Sequence, residues 1–234
     1  MPTRKLLLFD VDATLVHTHG AGSAAMQRAG ASLFGAHFSV ESLHFGGSLD
    51  LIIYEQAAAL NRVADHELHH DRFRDAYLAE LERGLTAPDA KVVALPGIVE
   101  TLDLLRRRRD ERGDIVLGLL TGNYAAATPI KLRAAGLDPG WFTLGAFGDE
   151  GRVRADLTAL AMQRYAEQYG EPIAGRDVIV IGDTPRDVQC AKAHDCRAFC
   201  VATGTYSREQ LLAAGADVVV DDLRDPAPLL ALLD

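Results

Sequence analysis

The sequence predicts an α/β fold: a parallel sheet covered by helices on both faces, with a block of helices inserted after the first strand. Three observations carry this. The apolar run Leu6-Leu7-Leu8-Phe9 stands near the start and ends in Asp10-Val11-Asp12. Residues 20–95 then show mostly helical patterning. Beyond them, short apolar runs and amphipathic stretches alternate, as strands joined by crossover helices do. The chain has 234 residues, of which 48% are hydrophobic, enough to bury one large domain or a core domain with an insertion.

Four large apolar residues in succession at 6–9 read as a buried strand. Residues 21–34, rich in alanine, form the first amphipathic helix, 50–59 the second, and 65–83 a long charged third, with no strand among them. Pro96-Gly97 marks a boundary. Residues 98–108 follow as a helix, whose arginine run at 106–109 is a solvated end that complements the helix dipole. A strand at 115–120 leads into Thr121-Gly122-Asn123. The helix at 128–135 has Thr128 as its N-cap, Pro129 in its first turn and Gly136 at its close. A weaker strand at 142–147 and a helix at 156–169 come next. The apolar strand 178–181 ends in Gly182-Asp183-Thr184-Pro185 and feeds a helix reaching about residue 193. Strands at 198–201, ending in Thr203-Gly204, and at 218–220 complete a Rossmann-like core.

Composition excludes several classes. A formal net charge of -9 argues against nucleic acid or an anionic membrane as partner. No apolar run approaches the ~20 residues of a membrane helix, and Met1 to Lys5 leave no room for a signal peptide before the first strand. Cys190, Cys196 and Cys200 lack close CxxC pairing and read as buried free thiols of a cytoplasmic protein. Monomer and homodimer are both open.

The strand ends carry the chemistry. Residues two apart on an extended chain project to one side, so Asp10 and Asp12 face a common point. Like charges held together need a cation or a shared proton. A solvent-exposed turn is the other reading, but it explains poorly why acids end a strand that looks fully buried. Ligands of open parallel sheets bind beyond the carboxyl ends of the strands, where Asp10, Asp12, Thr121 and Asp183 all fall. Carboxylates there suit Mg2+, with Asp10 and Asp183 as ligands and Asp187, one turn on, binding directly or through water. Zinc is disfavoured because neither His nor Cys stands among them. An Asp can attack phosphorus, and a second acid can protonate the leaving oxygen and later activate water. Thr121 with the N–H groups of Gly122 and Asn123 offers phosphate donors at a helix N-terminus.

Together, Asp10-Val11-Asp12-Ala13-Thr14, Thr121 after its strand and Gly182-Asp183-Thr184-Pro185-Arg186-Asp187 resemble the motifs of the haloacid dehalogenase-like hydrolase superfamily, in its phosphoglycolate phosphatase-like branch. The resemblance implies that Asp10 is the nucleophile, Asp12 the general acid/base, Thr121 a phosphate ligand, and Asp183 a magnesium ligand supported by Asp187. It also implies that the Asp12 backbone carbonyl completes the metal's protein ligands. It makes residues 16–95 an α-helical cap on a core of 1–15 and 96–234. The loop Gly46-Gly47-Ser48-Leu49-Asp50 then lies over the site, with Gly47 and Asp50 as substrate contacts; Asp50 as a cap of the next helix is the other reading. Two positions depart from the pattern. Ala13 replaces the usual Gly, costing about 1 kcal/mol if φ is positive there. The usual Lys before the fourth motif is missing from Gly151-Arg152-Val153-Arg154, so Lys131 is the preferred cation, with Arg154 as second choice or co-contributor.

The function this implies is magnesium-dependent hydrolysis of a small phosphorylated metabolite through an aspartyl-phosphate. Asp12 separates it from a dehalogenase, which needs no proton for its leaving group. A phosphonatase would want a cap Lys for a Schiff base, and Lys91 alone stands near the end of that block. A sugar-phosphate mutase or related phosphotransferase is the alternative within the family. A phospho-accepting signalling receiver is the alternative outside it. His66, His69 and His70 read as a solvated helix face.

Overall fold

The computed structural model describes residues 4–234; residues 1–3, on which the expected lack of a leader partly rests, lie outside the described residues. The chain opens with β1 (Lys5–Phe9) and the short β2 (Val16–His17). Three helices follow, α1 (Ala21–Phe34), α2 (Asp50–Leu60) and α3 (His66–Leu85), then β3 (Val93–Ala94). The alternating part runs α4 (Ile98–Arg112), β4 (Ile115–Leu120), α5 (Ala127–Ala134), β5 (Leu144–Ala146), α6 (Arg154–Tyr169), β6 (Val178–Gly182) and α7 (Pro185–Lys192). It ends with β7 (Arg197–Val201), α8 (Arg208–Ala213), β8 (Val218–Val220) and α9 (Ala227–Leu230).

Six strands form one parallel sheet in the order β5-β4-β1-β6-β7-β8. β1 is central and Leu6 to Phe9 are fully buried, because both faces are covered. Side chains alternate across it. Leu6 and Leu8 pack with Leu157, Ala161 and Val188 of α6 and α7, whereas Leu7 and Phe9 pack with Ile98, Leu102 and Leu105 of α4. The chain builds outward from β1 through β4 to β5, then returns to the other side of β1 for β6. The direction of winding therefore reverses beside β1, and the strand ends there open a crevice. A third apolar cluster joins α1, α2 and α3 through Met26, Ile53, Tyr54, Phe73 and Tyr77, and takes in Tyr124 from the sheet side.

Several expectations are corrected. No strand was expected within 20–95, yet β3 lies there and pairs antiparallel with β2, Val16 with Ala94 and His17 with Val93. Two residues are too few to show alternation. The 106–109 arginines are not simply a solvated end: Arg106 lies over the Trp141 ring at 4.5 Å, and Arg108 pairs with Asp114 at 2.8 Å and Asp234 at 3.0 Å. Thr128 is not an N-cap. Ala126 holds that position, and Thr128 donates from within the helix to the Tyr124 carbonyl at 3.3 Å. α8 and α9 were not expected, although α8 carries a legible signal in its Ser207/Gln210 capping box. His66, His69 and His70 are half-buried rather than solvated; His69 stacks near Phe34, and His70 Nε2 lies 3.1 Å from the Tyr124 hydroxyl. The three cysteines are buried and unpaired. No helix among the described residues is long and apolar enough to cross a membrane.

After β1 the chain turns sharply. The N–H groups of Leu15 and Val16 both donate to the Val11 carbonyl, at 2.9 and 3.0 Å, and Ala13 sits in the left-handed region with φ of 56°. Its Cβ clashes with the following carbonyl, a strain of roughly 1–2 kcal/mol that glycine avoids. Glycine also gains about 0.4–1 kcal/mol of unfolded-state entropy, which offsets part of that relief. Ala13→Gly should therefore stabilise the fold by about 0.5–1 kcal/mol, raising Tm by roughly 1–4 °C for a chain of this size. Thermal unfolding followed by circular dichroism measures it, and a lowered Tm would contradict the strain at Ala13.

Candidate active site

β1 and β6 deliver three buried carboxylates to the crevice. Asp10 follows β1, and its N–H donates to the Ile181 carbonyl of β6 at 2.8 Å, pinning the turn across the sheet. Asp183 follows β6. Asp187 closes a capping box at the start of α7, its Oδ2 accepting from the Thr184 N–H at 3.0 Å and from Thr184 Oγ1 at 2.7 Å. Oxygens of Asp10, Asp183 and Asp187 lie within 4.8 Å of one another. Burial pushes the carboxyls of Asp10 and Asp183 above the ordinary carboxylate range, and repulsion from the neighbouring acids adds to it. Arg154, the first residue of α6, opposes this. Its Nη2 lies 3.0 Å from Asp10 Oδ1 and 2.6 Å from Asp187 Oδ1.

This donor set fits a hard divalent cation such as Mg2+. It is all oxygen, two of its carboxylates follow strands and the third sits in the first turn of α7, and one guanidinium stands against three carboxylates. Asp187 has both oxygens engaged, by Thr184 and Arg154, whereas Asp10 and Asp183 retain more capacity for a cation.

Asp12 belongs to a separate network. Lys131 Nζ, from α5, donates to Asp12 Oδ2 at 2.6 Å and to Asn123 Oδ1 at 2.5 Å. Asn123 Nδ2 donates to the same Asp12 oxygen at 2.8 Å and to Thr121 Oγ1 at 2.7 Å. Lys131 and Arg154, weighed against each other for one cationic role, are thus both present, each on a different acid.

A cavity of about 400 Å³ lies between the sheet and α1–α3, and Asp10, Asp12, Gly47, Asp50, Thr121, Gly122, Asn123, Lys131, Arg154 and Asp183 all line it. Asp187 stands behind them. Two local expectations change. The 121–123 stretch is not a helix N-terminus, since α5 starts at Ala127; the Asn123 N–H donates to Thr121 Oγ1 at 3.4 Å, and its side chain holds Asp12. Asp50 does not cap its own helix. Its Oδ2 instead accepts from the Tyr124 N–H at 3.0 Å, while its N–H donates to the Gly122 carbonyl at 2.7 Å. Burial raises the Asp50 carboxyl to about 7 against the pull of Lys131. Gly122 is required here, because a Cβ would run into the Ser48 carbonyl. Gly47, with φ of 65°, packs against Thr184 and Arg186.

Sequence reasoning passed over Thr14, Tyr77 and Thr203. Thr14 Oγ1 donates to Asp183 Oδ1 at 3.4 Å, and Thr203 Oγ1 donates to the Ala13 carbonyl at 2.5 Å. The Thr203-Gly204 strand end was the available signal for Thr203. Nothing local marks Tyr77 within its amphipathic helix.

Comparison with known proteins follows the same lines. A search of curated proteins finds no match. Among solved structures, CbbY from Rhodobacter sphaeroides, in complex with phosphate, is 20% identical with a TM-score of 0.69, covering 95% of this chain and 96% of its own. A predicted phosphoglycolate phosphatase from Haemophilus somnus is 18% identical with a TM-score of 0.70, covering 98% and 99%. A candidate β-phosphoglucomutase from Thermotoga maritima is 19% identical with a TM-score of 0.62, covering 97% and 98%. These likenesses establish a shared fold. The family profile described as haloacid dehalogenase-like hydrolase matches residues 7–192, a span that holds Asp10, Asp12, Thr121, Lys131, Arg154, Asp183 and Asp187. The chain belongs to the haloacid dehalogenase-like hydrolase family.

Proposed function

We propose that the protein is a magnesium-dependent phosphatase that hydrolyses a small phosphorylated metabolite through an aspartyl-phosphate on Asp10. The observation that carries this reading is the division of the two acids: Asp10 sits with Arg154 at the floor of the cavity, and Asp12 sits with Lys131 and Asn123 at its side. One acid is placed to bond to phosphorus and the other to move a proton. The same reading treats residues 16–95 as a cap over a core of 1–15 and 96–234, supported by the separate apolar cluster of α1–α3. Three buried, unpaired thiols support a cytoplasmic location.

In the first step an Asp10 oxygen bonds to phosphorus, and the ester oxygen leaves with a proton from Asp12. In the second, Asp12 takes a proton from water as that water attacks phosphorus, releasing phosphate and restoring Asp10. Thr121 Oγ1 accepts from Asn123, so its own proton is left for a phosphate oxygen. Lys131 and Asn123 both donate to Asp12 Oδ2, which fixes the carboxylate's rotation. Asp10 and Asp183, with the Asp12 backbone carbonyl and with Asp187 in support, would hold Mg2+, which supplies positive charge against the transferring phosphoryl group.

Hydrolysis of p-nitrophenyl phosphate with Mg2+ tests the reading. Multiple turnovers are expected, lost on adding a chelator, and reduced about 10⁴-fold or more in Asp10→Asn. Turnover that survives Asp10→Asn, or a single stable phosphorylation in the wild type, would sink it; the latter outcome would favour the receiver.

Asp12→Asn should behave differently, because p-nitrophenolate leaves without a proton. A burst of about one product per enzyme should precede a steady rate some 10²–10⁴-fold below wild type, as hydrolysis of the phosphoenzyme loses its base. Lys131→Ala frees the Asp12 carboxylate to rotate, and a fall in kcat of about 10²-fold is expected. Unchanged turnover in Lys131→Ala would remove the residue from the mechanism.

A further inference from the structure

We infer that the cavity selects phosphate esters whose organic part carries hydroxyl or amino groups and no second anionic group, with Asp50 and Tyr77 as the specificity-determining residues. The inference rests on the phosphatase reading of the same site.

Charge inside the cavity is the first argument. Among the described residues lining it, two cationic side chains, Lys131 and Arg154, stand against four carboxylates, Asp10, Asp12, Asp50 and Asp183. Both cations are already committed. Arg154 is shared between Asp10 and Asp187, and Lys131 between Asp12 and Asn123. His17, the remaining lining residue with an ionisable ring, accepts the His19 N–H on Nδ1 at 3.3 Å. A divalent cation and the transferring phosphate belong to the floor. Any further anion on the substrate must then face the wall formed by the helices.

That wall offers nothing to hold it. α1–α3 and their loops present Ser23, Met26, Phe45, Asp50, Ile53 and Tyr77 to the cavity, and no Lys or Arg among the described residues. Asp50 cannot swing away, because the Tyr124 N–H holds its Oδ2 and its own N–H is tied to Gly122. A second phosphate or a carboxylate would approach this fixed acid with no Lys or Arg on the same wall, the nearby Lys131 being already committed to Asp12, which is unfavourable in a partly dehydrated site. A hydroxyl or ammonium can donate to it.

Tyr77 adds a second, independent observation. Its side chain is almost fully buried, it lines the cavity, and its hydroxyl makes no hydrogen bond to protein among the described residues. The hydroxyl lies close to Gly22, as Lys131 Nζ does, so it stands at the junction of helices and sheet. The hydroxyl opens to the cavity, where a polar group that enters beside it can bond to it. Tyr77 can both donate and accept, which suits a polyol or amino alcohol. Met26, Phe45 and Ile53 supply the apolar surface its carbon skeleton needs.

The test compares kcat/KM, with Mg2+ present, for glycerol 3-phosphate, O-phosphoethanolamine, 3-phosphoglycerate, phosphoglycolate and fructose 1,6-bisphosphate, with p-nitrophenyl phosphate as reference. The first two should exceed the three anionic esters by about tenfold or more. Asp50→Asn should narrow that ratio by a similar factor, and Tyr77→Phe should lower glycerol 3-phosphate relative to p-nitrophenyl phosphate. Ratios within one preparation do not depend on how much of a variant folds, and two variants guard against the loss of either. Anionic esters turned over as well as the others, or a ratio unmoved by Asp50→Asn, overturns the inference while leaving the phosphatase intact. No turnover of any ester, the reference included, overturns both.

Discussion

Three carboxylates within 4.8 Å of one another, buried at the ends of β1 and β6, are the constraint around which the rest is arranged. Such a cluster is unfavourable on its own, since burial and repulsion both penalise the ionised form. The chain stabilises it with fixed groups. Thr184 takes one oxygen of Asp187 into the start of α7, and Arg154 takes the other and reaches Asp10. Asp183 is left with a single threonine contact, from Thr14 at 3.4 Å. Where this compensation is incomplete, the carboxylate oxygens fit a divalent cation.

The same constraint explains why the site uses two cationic side chains. A group that offsets Asp10 must sit at the floor, beside Asp183 and Asp187. Asp12 points elsewhere, and its network with Asn123 and Lys131 is tied to Thr121 at the end of β4. Arg154 comes from α6 and Lys131 from α5, helices that follow different strands. The ion pairs of Asp10 and of Asp12 are thereby supplied by different helices.

The helical layer is fastened to the sheet through the mouth of the site. Asp50 at the start of α2 bonds to Tyr124 and Gly122, and Tyr124 carries its ring into the apolar cluster of α1–α3. The loop that bears Thr121 and Asn123 is therefore also the loop that seats the helices. What the helices present to the cavity, an acid and a phenol among apolar side chains, is positioned by the same contacts that position Thr121 and Asn123.

The sequence by itself determined the sheet, because strands buried on both faces appear as unbroken apolar runs, and the first polar residue after each run must lie at the crevice. Asp10, Thr121 and Asp183 were legible for that reason, and the helices because their apolar periodicity is local. The pairing of β2 with β3 was not, since two residues hold no period and their partner lies more than seventy residues away. From Gly151-Arg152-Val153-Arg154, Arg154 was expected as second choice to Lys131 or co-contributor. In the fold Arg152 turns out to Glu55 at 2.6 Å, while Arg154 begins α6 and turns in to Asp10 and Asp187. Asn123, read as a phosphate donor, holds Asp12 through its side chain, and Asp50, read as a substrate contact or a helix cap, fastens α2 to the core while lining the cavity. Which charges meet is decided by packing between segments distant in sequence, and only the tertiary structure holds that information.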